Sequence, residues 1–95
     1  MLVHVVCFKY KPAFDALARD DHRQRLRALA DIDGIIDLRV GADVVRSPRS
    51  YDTALVIAFH SRAALDAYQH NPRHVPVAQF GADNCESIVA VDFES

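Results

Sequence analysis

Five histidines, three tyrosines and two cysteines are the residues of this 95-residue chain best suited to moving a proton or attacking an electrophile. Three of them stand out by position. His4 lies in the segment LVHVVCFKY (2–10), where as a strand residue it shares a face with Leu2, Val6 and Phe8. Tyr68 falls on the apolar stripe Ala64, Leu65, Tyr68 of a helical segment, and His74 follows the Asn71-Pro72 stop behind it. Taken singly, a His on an apolar face is more often a hydrogen-bonded core residue. A buried Tyr usually packs with its hydroxyl satisfied, and a His after a helix stop can simply fill a corner. Taken together they are one phenol and two imidazoles, and an unperturbed imidazole titrates at about pH 6.5. That set suits proton abstraction next to a carbonyl, with one His as base and the phenol on the developing enolate oxygen. The second His would fix the tautomer of the first.

The elements that must position these groups follow from pattern. Leu2–Tyr10 is rich in Val, Phe and Tyr and reads as a strand. A helix is expected from Pro12 to about Asp31, with Phe14, Leu17, Ala18, Leu26, Leu29 and Ala30 on its buried side together with His22. Asp33-Gly34 supplies the stop. Ile35–Val45 reads as strand two, with Ile36, Leu38 and Val40 on one face and Gly41 marking a bulge. After the loop RSPRS (46–50), Tyr51–Phe59 is strand three. Ser61 can cap a helix over Arg62–His70. Arg73 to about Ala82 reads as a short irregular helix, and Ser87–Glu94 as strand four. The order β-α-β-β-α-(α)-β is the ferredoxin-like α+β pattern, a four-stranded antiparallel sheet.

Two helices can cover one face of such a sheet, yet strands one and three carry apolar side chains on both faces. A second copy, packing sheet to sheet about a two-fold axis, would cover the other face, so a homodimer forming an α/β barrel is expected.

Composition bounds the rest. With 51% apolar and 25% charged residues, the chain reads as one globular domain over 1–95. Net charge is −2, and the arginines between Arg19 and Arg49 are interleaved with Asp, so neither a nucleic acid nor a membrane is expected as partner. Cys7 and Cys85 form no CxxC, which fits a reducing compartment, and with no signal-peptide or spanning pattern the expected location is cytoplasmic. No GxGxxG, P-loop, GxSxG or HExxH occurs, and no cofactor is expected. His70 and His74 have HxxxH spacing, but Pro72 between them breaks the helical register a metal would need, so no metal is expected either.

The segments HVVCFKYK, YDTALVIAFHS, ALDAYQHNPRHV and VAVDFE resemble, in the same order, the stress-responsive α/β barrel (Dabb) family, part of the dimeric α+β barrel superfamily. The resemblance implies a dimeric barrel. It also implies a pocket between sheet and helices lined by a first-strand His, a Tyr on the second helix and a His just after the Pro. His4, Tyr68 and His74 stand at the matching positions. Two departures mark the chain: Asn71 replaces the first His of the family's HPxH. Ala54 stands where a plant polyketide cyclase of the family has a third-strand His. The reading that follows is a homodimer whose small pocket binds an apolar or aromatic ligand. The alternative is a cofactor-independent cyclase, isomerase or lyase using His4, Tyr68 and His74.

Overall fold

The computed structural model describes residues 1–95. Its elements are β1 (Leu2–Tyr10), α1 (Ala16–Arg27), β2 (Ile35–Ala42), β3 (Thr53–Phe59), α2 (Arg62–Gln69), α3 (His74–Asn84) and β4 (Cys85–Glu94). All strand pairs are antiparallel, in the order β2-β3-β1-β4. This is the ferredoxin-like arrangement, and it puts β4 beside β1 although they lie at opposite ends of the chain.

The helices cover one face. Alternate residues of β1 (Leu2, His4, Val6, Phe8, Tyr10) and of β3 (Thr53, Leu55, Ile57, Phe59) are buried beneath them. Leu26 and Leu29 pack down from α1 and its exit, Leu65 and Tyr68 from α2. The opposite face is apolar as well. Val3 lies between Ala58 and Phe93, Val5 between Val56 and Val91, and Cys7 between Ala54 and Val89. Val56, Val89, Val91 and Phe93 are exposed within a single chain.

Several expected boundaries move, each for a local reason. Helix α1 starts at Ala16, because the Asp15 carboxylate accepts the Ala18 N–H at 3.0 Å and so makes the cap; the residues after Pro12 form a turn instead. Leu17, expected on the buried side, is 83% exposed. It lies five residues before His22, about 140° round the helix from it. The bulge in β2 sits between Ile35 and Asp37 rather than at Gly41, and the extra residue leaves Ile36 half-exposed while Ile35, Leu38 and Val40 pack inward. β2 ends at Ala42, β3 begins at Thr53 and β4 begins at Cys85. Residues 74–84 form a regular α-helix, since Pro76 lies in its first turn, where no N–H is required. Gly34 has φ +93°, and a Cβ there would lie 2.7 Å from that of Ala64, so the sharp entry into β2 against α2 needs glycine.

Candidate active site

Strand β1 delivers His4 to the helix-covered face, and the β1–β4 register places Asp92 directly opposite. The two side chains are hydrogen-bonded, His4 Nδ1 to Asp92 Oδ1. A carboxylate only accepts, so Nδ1 carries the proton and donates it, leaving Nε2 as the basic atom. His4 is buried whereas Asp92 keeps one side open to solvent.

Helix α2 delivers Tyr68. Ser61 caps the helix by accepting the Ala64 N–H at 3.2 Å, and Leu65 and Tyr68, one turn apart, point at the sheet. The Tyr68 ring lies 5.2 Å from that of Phe59 and 6.4 Å from that of His4, centroid to centroid. Past the helix end, the Asn71 side chain accepts the Arg73 N–H at 2.8 Å and the Asn71 carbonyl accepts the His74 and Val75 N–H groups at 2.9 and 3.1 Å. This restarts the chain as α3 with His74 as its first residue, and the His74 ring lies 4.2 Å from that of Tyr68, tilted by 42°.

The three expected residues therefore meet. They line one cavity of about 200 Å³ between the sheet and the helices, walled otherwise by Val6, Phe8, Leu26, Leu55 and Val77 among others. Burial pushes the Tyr68 phenol up to about 12, so it stays a neutral donor. Burial lowers His74 against the opposing pull of the Gln69 backbone carbonyl, with a smaller contribution from the charge of His4, and so favours its neutral form. Tyr68 Oη and His74 Nδ1 are buried with no partner in the chain. Such groups in native proteins ordinarily find one, and here both belong to residues that line the cavity.

Two expectations are corrected. His74 does not fix the tautomer of His4, because Asp92 occupies the Nδ1 of that ring. Ala54 lies on the outer sheet face opposite Cys7, so a side chain there could not reach the cavity; Leu55 is the β3 residue that does. Asp92 itself was missed by the sequence reading. The signal was present in strand pairing, since the alternation that turns Ile88 to the helix side carries Asp92 with it. No three His, Cys, Asp or Glu side chains converge as a metal site would require, and His70 Nδ1 instead contacts the Asp66 carbonyl at 2.9 Å. No helix is long and apolar enough to cross a membrane.

The family model of the stress-responsive A/B barrel domain matches residues 2–95. The chain belongs to the Dabb family. Its fold is shared with a dimeric ferredoxin-like protein of unknown function from Thermobifida fusca (24% identity over 99% of this chain and 90% of that one, TM-score 0.91). A dimeric ferredoxin-like protein from Jannaschia is 26% identical over 99% and 98% of the two chains, with a TM-score of 0.83. The hydroxynitrile lyase of Passiflora edulis is 22% identical over 97% and 90%, with a TM-score of 0.85. No curated protein matches this Dabb chain in sequence.

Proposed function

We propose that this Dabb protein is a homodimer in which each cavity is a cofactor-independent acid–base site acting on a small carbonyl compound. His4 Nε2, its ring held by Asp92, takes a proton from the carbon next to the carbonyl. Tyr68 donates its hydrogen bond to the oxygen on which charge develops, and neutral His74 holds the substrate at its Nδ1 side. Isomerisation and aldol-type cyclisation both pass through such an enolate.

One observation carries this reading: Tyr68 and His74, whose buried Oη and Nδ1 have no partner in the chain, line the same cavity as His4 of the His4–Asp92 pair. A buried polar group without a partner costs about 1–3 kcal/mol, a cost a ligand oxygen would remove. A lyase among the proteins of this fold is consistent with it. The test is exchange of α-protons for deuterium in a panel of small ketones, followed by NMR. The protein should accelerate exchange above buffer and the His4→Gln variant should not. A panel showing no acceleration would leave ligand binding as the remaining use of the cavity.

The homodimer is supported by the apolar outer face, on which Val56, Val89, Val91 and Phe93 are exposed together, and by the dimers among proteins of this fold. Val91→Lys, on that face, should shift light scattering from dimer to monomer or to aggregate. A stable wild-type monomer at micromolar concentration would end the dimer proposal.

A further inference from the structure

The cavity has a neighbour. Along the inner side of β4 lies an open groove of about 450 Å³, lined by Arg62, Asp66, Asp92, Glu94 and Gln69 with apolar Leu2, Leu65 and Phe93. Gln69, the last residue of α2, borders both spaces. The catalytic pair spans them too, with the His4 ring in the cavity wall and the Asp92 carboxylate in the groove. A ligand reaching His4 from this side passes Asp92 and Gln69.

The charge along that route is one-sided. The groove holds three carboxylates and one guanidinium, and Arg62 already donates its Nε–H to Asp66 Oδ1 at 3.1 Å. The cavity contains no Lys or Arg. A proton on His4 would be balanced by Asp92, and burial keeps His74 neutral, so neither imidazole offers a net positive charge to an anion. An anion entering the cavity would lose its water without gaining a counter-charge, and one approaching along the groove would also pass like charges.

We infer that the substrate is an uncharged carbonyl compound with the bulk of a single small ring, and that carboxylate- or phosphate-bearing analogues are rejected. The size follows from the volume, room for about seven waters at about 30 Å³ each. This inference rests on reading the cavity as a substrate site.

The test compares two probes with the same ring, acetophenone and benzoate, by titrating each into the full chain and following the imidazole NMR signals of His4 and His74. Acetophenone should move both signals, and benzoate should bind at least about tenfold more weakly, a difference of about 1.4 kcal/mol. Replacing the two exposed carboxylates outside the catalytic pair, in an Asp66→Asn/Glu94→Gln variant, should bring benzoate closer to acetophenone, as should high salt. Benzoate binding as tightly as acetophenone overturns the charge rule while leaving the cavity reading intact. So does a gap that neither the variant nor salt narrows. Failure of both probes to move either imidazole removes the cavity reading and this inference with it.

Discussion

At one end of β1, Tyr10, His22, Thr53 and Arg23 form a closed polar network; His4, Tyr68 and His74 form an open one about 20 Å away along the same strand face. Both place imidazole against phenol beneath the helices, with Tyr10, His22 and Thr53 buried in one and His4 and Tyr68 in the other. In the closed network, His22 Nδ1 lies 2.6 Å from the Tyr10 oxygen, and Tyr10 donates to Thr53 Oγ1 at 3.0 Å. Thr53 also accepts from Arg23 at 2.9 Å. The arrangement is consistent with His22 donating from Nδ1 and keeping an unprotonated Nε2. That Nε2 faces Gly81, where an added Cβ would come within 3.1 Å, and Phe8 and Phe80 pack around the ring. In the open set the residues that carry the leftover polar atoms line a cavity instead. Burial and aromatic company do not separate a structural histidine from a chemical one here; a place in the cavity lining does.

The largest expected effect separates the two directly. His4→Gln should lower the α-proton exchange rate by about 100-fold or more, the range expected for loss of a general base. His22→Gln should leave that rate within a factor of a few. Equal losses in both variants would mean that the closed network also serves the chemistry.

The next contrast is in pH. Burial, helped by the positive charges of Arg23 and Arg25, depresses His22 from 6.5 to about 4. The unfolded chain therefore takes up this proton first as pH falls. The stability tied to neutral His22 is fully present above about pH 6.5 and is lost progressively toward pH 4. By pH 5 the loss should be about 2 kcal/mol. Urea unfolding at pH 7 and pH 5 measures it, and the drop should shrink by that amount in His22→Gln. An unchanged drop would assign the acid sensitivity to other groups.

Breaking the closed network from its phenol side should cost somewhat less. Tyr10→Phe removes the acceptor of His22 and one donor to Thr53, leaving a buried N–H unpaired. A loss of about 1–2 kcal/mol is expected in urea unfolding, with the exchange rate unaltered. A variant as stable as the wild type would show that His22 finds another partner.

How much of this contrast could be read from the chain follows from what each part depends on. The two-faced strands and the element order were legible because alternation and helical spacing are local. His22 was placed on the buried side by that spacing, but Leu17 was too, since the helix phase depended on a cap at Asp15 that Pro12 obscured. The meeting of His4, Tyr68 and His74 was expected mainly from family resemblance. Asp92 was not, because its role exists only once β4 pairs with β1 in register across nearly the whole chain. The Tyr10–Thr53 contact was hidden for the same reason, being a relation between strands far apart in sequence.

The smallest expected change in stability is also the one that best separates the two phenols. Tyr68 and Tyr10 are both almost fully buried, at 1% and 3% exposure, and replacing either with Phe removes a single oxygen. Tyr10 spends its hydroxyl on two partners, whereas Tyr68 spends its on none within the chain. Deleting an unpaired buried hydroxyl also deletes its desolvation cost, so Tyr68→Phe should leave unfolding free energy within about 1 kcal/mol of wild type, on the stabilising side. The same variant should slow α-proton exchange by about tenfold or more, because the donor to the developing oxyanion is gone. Stability retained with rate lost is the signature of a hydroxyl held for a substrate. A loss of stability matching that of Tyr10→Phe would show that Tyr68 is tied into the structure after all, and the two clusters would then differ in shape but not in purpose.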